Sequence, residues 1–232
     1  MNYAIILAGG TGSRMNMKTA PKQFLMVKDK PIISYCMETF EKHELIDKIV
    51  IVVADEWKGL VTEWIHKENI CKAEFFAEPG RTRQHSIYNG LQAIGNYTHA
   101  NDIVVIHDAA RPCVTGQIIT DCIEGAIEAE GAMPVITVKD TIYVSEDGNY
   151  IDGLLNRDEL YAGQAPESFR FERYYKIHQE MSDEEIGMVR GSSEIAYKNG
   201  MKIKLVKGSE INFKITTAED LNKFKHFMDN NK

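Results

Sequence analysis

The sequence predicts an α/β fold, a mainly parallel sheet with helices on both faces, and three observations carry that expectation. The runs Ile49 to Val53 and Ile103 to Ile106 are continuously apolar and rich in β-branched residues, as strands buried on both faces are. Stretches of helical periodicity alternate with these runs, which implies parallel strands joined by right-handed crossovers. The first strand ends in a glycine-rich loop, the arrangement of Rossmann-like folds that bind ligands at the carboxyl ends of their strands. A hairpin at about 138 to 156 stands outside the alternation.

A chain of 232 residues with 44% hydrophobic residues can bury a full core as one domain spanning 1 to 232. The net charge of −7 argues against non-specific nucleic-acid binding, so an anionic substrate must be held by local cations. The apolar runs are far shorter than a membrane span, and Met1-Asn2-Tyr3 opens straight into a strand, which leads to the expectation of a cytoplasmic protein with no membrane partner. Cys36, Cys71, Cys113 and Cys122 lack C-x-x-C spacing and lie in core-like or helical stretches, which suits reduced structural thiols.

The strand Tyr3 to Ala8 runs into Gly9-Gly10-Thr11-Gly12-Ser13-Arg14-Met15 and then Pro21-Lys22-Gln23-Phe24. Unpaired backbone N–H groups at such a strand end, approached closely across glycine, make a cradle for nucleotide phosphates from Leu7, Ala8, Gly9 and Gly10. A dinucleotide site requires G-x-G-x-x-G, but Met15 stands where the third glycine belongs, and Asp29 and Asp47 do not end a second strand at the required distance. A P-loop requires a lysine directly after its glycines, and none is there. Arg14 and Lys22 stand instead, placed to neutralise a transferring nucleotidyl group or, in the plainer reading, as surface charges beside a turn.

Leu7-Ala8-Gly9-Gly10-x-Gly12-x-Arg14-Met15 with Pro21-Lys22-Gln23-Phe24 resembles the opening of the cytidylyltransferases that make CDP-alditols, acting on methylerythritol phosphate or ribitol 5-phosphate. Matches further along extend the resemblance over nearly the whole chain. The broader nucleotidyltransferase group shares only the G-x-G-x-R part.

The elements then follow in order. Pro31 to Glu41 reads as a helix with proline in its first turn, and Lys48 to Val53 as the second parallel strand. A helix at about Glu56 to Lys67, a strand at Ala73 to Ala77, a helix from Thr82 to Ile94 and the strand Ile103 to Ile106 repeat the unit. The loop Glu78 to Ser86 resembles the family's second nucleotide loop, which implies that Gly80, Arg83 and Ser86 contact the cytidine and stabilise the cradle. Gly80 and Thr82 also read as a turn residue and an N-cap, and His85 as a hydrogen-bonded helix residue.

His107-Asp108-Ala109-Ala110-Arg111-Pro112 puts a carboxylate at a strand tip, where Asp108 can hold a Mg²⁺ ion bridging phosphates. Arg111 is a substrate-binding candidate or a structural ion-pair partner of Asp108. After a helix from Gln117 to Ala129, the segment Met133 to Val144 is extended, turns at Glu146 to Asn149 and returns through Ile151 toward Asp158. The resemblance implies that this hairpin is a dimerisation arm, with Thr141 and Arg157 serving the substrate site of the second subunit of a homodimer.

Tyr161 to Phe169 resembles the family's Q-T-P-Q-x-F segment, with Ala165 and Glu167 as departures. Helices at Arg170 to Met181 and about Gly191 to Lys198, extended segments at Met201 to Lys207 and Ile211 to Thr216, and a helix from Ala218 to Met228 close the domain. Lys214 matches the lysine of the family's N-I-K-x-T segment, which implies that it reaches the phosphates; a neighbouring acidic partner is the alternative. Val189-Arg190 stands where the family has threonine and aspartate, which bears on the identity of the phosphoalditol.

The sequence thus leads to a Mg²⁺-dependent cytidylyltransferase joining CTP and a polyol phosphate, with Arg14, Lys22 and Lys214 stabilising the transition state. A non-catalytic CTP sensor would lack the catalytic cations, and an NAD-dependent oxidoreductase would carry the missing glycine fingerprint.

Overall fold

The computed structural model describes residues 1–10 and 20–230. Strand β1 (Asn2–Leu7) is the centre of an eight-stranded sheet. Two short strands, β2 (Met26–Val27) and β3 (Lys30–Pro31), form a separate ribbon before helix α1 (Ile32–Lys42). Then come β4 (Lys48–Val52), α2 (Asp55–Lys67), β5 (Ala73–Ala77), α3 (Arg83–Ile94) and β6 (Ile103–Asp108). These are the parallel elements that the apolar runs predict, and β6 continues to Asp108, past the apolar residues.

The second half inserts antiparallel strands. Helix α4 (Gly116–Ala129) leads into β7 (Glu130–Thr137), followed by the hairpin β8 (Tyr143–Val144) and β9 (Gly153–Leu154), then β10 (Tyr161–Gly163) and β11 (Glu167–Arg170). The chain ends with α5 (Phe171–Glu180), α6 (Asp183–Met188), α7 (Ser192–Lys198), β12 (Lys202–Lys207) and α8 (Ala218–Asn230). The sheet order is β10-β7-β11-β6-β1-β4-β5, with β12 also on β7 and parallel to it, while β10 and β11 run antiparallel to their neighbours.

Alternation along the central strands explains the two layers of helices. Ala4 and Ile6 face the side covered by α1, α2 and α4 through Phe40, Val61 and Ile123, whereas Tyr3 and Ile5 face α3, α5 and α7 through Leu91, Tyr174 and Ile195. Tyr3 to Ile6 are therefore buried from both faces, and the polar side chain of β1, Asn2, stands at its edge, where it donates to Leu45 O. Each fully buried Ile or Leu contributes about 1.5–3 kcal/mol of transfer free energy. A third apolar cluster seats α8 on Val27, Ile32 and Ile215 through Phe224.

Two segments differ from expectation. Residues 211 to 216 form no strand: the apolar alternation of Ile211, Phe213 and Ile215 belongs to a loop laid over the end of β6, with Ile215 N–H donating to Ala110 O (2.8 Å). Helix α6 was not expected, yet Ser182 and Glu185 form a reciprocal capping box at its start. Cys36, Cys113 and Cys122 are buried free thiols, whereas Cys71 is exposed, in a turn and not in the core.

Candidate functional site

Strand register gathers the site. Leu7 is level with Asp108 on β6 and with Val52 on β4, and Val52 is level with Ala77 on β5. The carboxyl ends of four parallel strands therefore lie in one row. The segments that leave them, Ala8 to Gly10, Ala109 to Arg111 and Glu78 to Thr82, share one edge of the sheet.

The first two of the expected nucleotide loops are pressed together. A Cβ on Gly9 would stand 2.2 Å from Pro79 Cβ, so only glycine permits the approach. Gln23, 3% exposed, turns its amide back to donate to Ala8 O and Gly10 O (2.9 Å). The chain that returns from the loop is thus tied to the strand end. Lys22 opens the 3-10 turn Lys22–Phe24 beside this tie, and Phe24 stacks on Trp57 with ring centroids 4.8 Å apart. Arg14, with Gly12 and Met15 of the same motif, lies outside the described residues.

The second loop is held from within. Ser86 Oγ accepts from Gly80 N–H (3.0 Å) and donates to Thr82 O (3.1 Å), while Thr82 caps α3. A Cβ on Gly80 would stand 2.3 Å from His85 Cβ, which again excludes a larger residue. His85 is the hydrogen-bonded helix residue of the plainer reading: its Nε2 lies 2.8 Å from Asp183 Oδ1 on α6, and Arg81 Nη2 is 2.7 Å from the other oxygen.

At the end of β6 the charges converge. Asp108, 8% exposed, accepts from Arg83 Nε through Oδ1 (3.0 Å) and from Lys214 Nζ through Oδ2 (2.9 Å), with Arg111 Nε 3.9 Å away. Burial alone would raise the carboxyl pKa, but the Arg83 and Lys214 cations outweigh it and hold Asp108 ionised well below the usual carboxylate range. Arg83 also reaches Ser192 Oγ with Nη1 (2.6 Å) and Glu167 with Nη2 (3.4 Å). Burial works against the Arg83 charge, and the carboxylates of Asp108 and Glu167 more than restore it. Arg111 donates to Asn212 O (2.6 Å), and its Nε has no hydrogen-bond partner among the described residues.

His107 takes no part in this edge. It is fully buried against Phe40, its Nε2 bonded to Arg111 O (3.0 Å), and burial pushes its pKa down to about 4. It is a neutral core residue. Thr141 and Arg157 are exposed at the base of the hairpin, where Arg157 Nη1 donates to Lys139 O (3.0 Å). The hairpin bonds only within itself as a sheet, and Tyr143, Tyr150, Ile151 and Leu154 on it are more than half exposed. Val189 ends α6 and packs on the α3 side of the core, and Arg190 N–H caps onto Glu194.

Magnesium typically takes one or two carboxylates and completes its shell with phosphate oxygens and water. Among the described residues no group of three or more His, Cys, Asp or Glu could hold a metal ion. Asp108 is the one carboxylate here that would hold such an ion, and both of its oxygens already accept from Arg83 and Lys214.

Sequence reasoning missed the work of Gln23, Glu167, Ser192 and Asn212. Gln23 stands inside the quoted motif, between Lys22 and Phe24, and its type carried the only signal. Asn212 donates to Ala165 O (2.7 Å) and joins the loop bearing Lys214 to the segment before β11.

The family model of 2-C-methyl-D-erythritol 4-phosphate cytidylyltransferase matches residues 2–230. A ribitol-5-phosphate cytidylyltransferase of Lacticaseibacillus paracasei is 34% identical, with 98% of each chain covered. A 2-C-methyl-D-erythritol 4-phosphate cytidylyltransferase of Clostridium botulinum is 36% identical over 95% of this chain and 94% of its own. The crystal structure of 4-diphosphocytidyl-2C-methyl-D-erythritol synthase from Anaerococcus prevotii superposes with a TM-score of 0.80 at 23% identity, covering 99% of this chain and 96% of that one, a likeness of fold.

Proposed function

The chain belongs to the 2-C-methyl-D-erythritol 4-phosphate cytidylyltransferase family, whose members are nucleotidyltransferases, and from that premise we propose that it joins CTP to ribitol 5-phosphate or 2-C-methyl-D-erythritol 4-phosphate, releasing pyrophosphate and forming a CDP-alditol. The observation that carries this reading is the family match over residues 2–230, which falls on a strand end whose glycine loop is pressed onto a second loop. The Lys214–Asp108 pair (2.9 Å) is the acidic partner that the sequence offered as the alternative, and it seats the ammonium at that edge.

An oxygen of the acceptor phosphate attacks the α-phosphorus of CTP in line, and the bond from that phosphorus to the bridging oxygen of pyrophosphate breaks. The acceptor is already anionic, so no general base is needed, and catalysis consists of alignment and charge stabilisation. Arg14, Lys22 and Lys214 neutralise the charge that grows at the α-phosphoryl group. Leu7, Ala8, Gly9 and Gly10 cradle the phosphates, Gly80, Arg83 and Ser86 form the cytidine side, and Arg111, Thr141 and Arg157 hold the acceptor phosphate. Thr141 and Arg157 reach it from the second subunit of a homodimer, from their exposed places at the base of the hairpin. Mg²⁺ bound with the triphosphate, with Asp108 as its one chain carboxylate, would supply further charge neutralisation.

No helix of the described residues is long and apolar enough to cross a membrane, and the free thiols suit the cytoplasm, the compartment we propose. The test is pyrophosphate release from CTP against ribitol 5-phosphate, 2-C-methyl-D-erythritol 4-phosphate and other polyol phosphates. Release with one of the two named acceptors supports the reading. CTP binding without release with any acceptor would make the protein a nucleotide sensor.

A further inference from the structure

A second acidic side chain is buried at the carboxyl edge. Glu167 opens β11 opposite Ile106, two residues before Asp108 on the neighbouring strand, and its side chain is 9% exposed. Its Oε1 accepts from the backbone N–H (3.0 Å) and the hydroxyl (2.7 Å) of Ser193 on α7, while Oε2 lies 3.4 Å from Arg83 Nη2. Where the segment it resembles has glutamine, this chain has a carboxylate.

Arginine facing a single carboxylate commonly closes on it with two parallel N–H bonds. Arg83 does not. It gives Nε to Asp108 Oδ1 (3.0 Å), Nη2 to Glu167 and Nη1 to Ser192 Oγ (2.6 Å), so its fork is split between two carboxylates on adjacent strands. Asp108 Oδ2 is thereby left to Lys214 (2.9 Å).

Building on the cytidylyltransferase reading, we propose that Glu167 is a positioning residue for the reaction: its charge keeps Arg83 from closing both prongs on Asp108 and so preserves the seat that holds Lys214 at the phosphate edge. With the charge removed, Arg83 turns its fork onto Asp108 alone, and Lys214 loses its seat. Glutamine at 167 retains the size of the side chain and an acceptor for Ser193, so it separates this role from that of a tie between α7 and the sheet.

The experiment compares the full-length protein with Glu167→Gln and Glu167→Asp. For Glu167→Gln the expected result is a turnover lowered about tenfold, with the KM for CTP changed less than threefold and a melting temperature close to the parent's. Glu167→Asp, which keeps the charge, should recover part of the turnover. A second readout needs no activity: the Arg83 Nε–H resonance in nitrogen-15 NMR, assigned by its loss in Arg83→Lys, should shift in Glu167→Gln and stay near its parental position in Glu167→Asp. Parental turnover in Glu167→Gln would overturn the proposal, as would a turnover loss with the Arg83 resonance unmoved. If the parent transfers no cytidylyl group at all, the functional reading has failed, and the resonance alone decides whether Glu167 sets Arg83.

Discussion

Lys214 Nζ donates to Asp108 Oδ2 at 2.9 Å, a pair formed across 106 residues between the loop before α8 and the tip of β6. The lysine side chain is one-third exposed and its partner nearly buried, so the ammonium sits at the boundary between the sheet and solvent. It is held there before any substrate arrives.

That pre-positioning gives the first prediction. Lys214→Met should lower turnover by on the order of a hundredfold, about 3 kcal/mol, as loss of a transition-state charge contact does. CTP affinity, measured by calorimetry, should fall much less, and the same split is expected for Lys22→Ala and Arg14→Ala. A tenfold loss of CTP affinity at unchanged turnover would show that these cations only bind.

The contact between Gly9 and Pro79 gives the second. Gly9→Ala puts a methyl 2.2 Å from Pro79 Cβ, and neither the strand end nor the proline ring can yield cheaply. Overpacking of this kind costs about 1–3 kcal/mol. The melting temperature should drop by several degrees and the KM for CTP should rise as the two loops part. Among the described residues Gly10→Ala meets nothing within 4 Å, so its melting temperature should stay near the parent's. Equal melting temperatures for the two variants would remove the close approach as an explanation for glycine at position 9.

Acid stability supplies the third. His107 and His178 are fully buried, and burial pushes both from 6.5 down to about 4. His178 donates Nδ1–H to Tyr174 O (2.7 Å) and accepts from Gln84 Nε2 (2.6 Å), an arrangement that requires a neutral ring. Between about pH 4 and 6.5 the unfolded chain therefore binds more protons than the folded one, and stability falls as pH drops through that window. The loss should reach on the order of 2 kcal/mol per ring by pH 5. Asp108, whose pKa is held down by Arg83 and Lys214 against its burial, adds a loss only below its unperturbed value of 3.8. Urea denaturation from pH 7 to 4.5 tests this, and His178→Gln should flatten the slope. An unchanged slope in that variant would mean that His178 is not neutral in the fold.

The parts of this site that were legible in the sequence are those governed by local chemistry. β-branched runs announce buried parallel strands, glycine announces close approach, and a capped apolar stripe announces α3, so Gly9, Gly80, Ser86 and Asp108 fall on one edge as expected. The hub around Arg83 was not legible, because Glu167 arrives only when β11 inserts antiparallel between β6 and β7, 84 residues later. Residues 211 to 216 misled for the opposite reason. Their alternation has the period of a strand, but Phe213 and Ile215 pack beneath α8, Ile211 is exposed, and Asn212 N–H turns to Ser209 O (3.0 Å). Period alone cannot say whether a ladder partner will be available.

The last prediction concerns the hairpin, whose apolar side chains Tyr143, Val144, Tyr150, Ile151, Leu154 and Leu155 are all exposed in one chain. Two-stranded hairpins are marginal by themselves, and apolar surface of this extent is the mark of an interaction site. If two arms exchange in a homodimer, Arg157 completes the acceptor site of the other subunit, where its planar fork suits a phosphate. Two inactive variants, Lys22→Ala and Arg157→Ala, are mixed under conditions that allow subunit exchange. In a mixed dimer one site receives both defects and the other receives neither, so up to half of the mixed dimers' sites regain activity. A mixture that stays inactive while mass spectrometry confirms exchange would place Arg157 in the site of its own subunit and end the shared-site proposal.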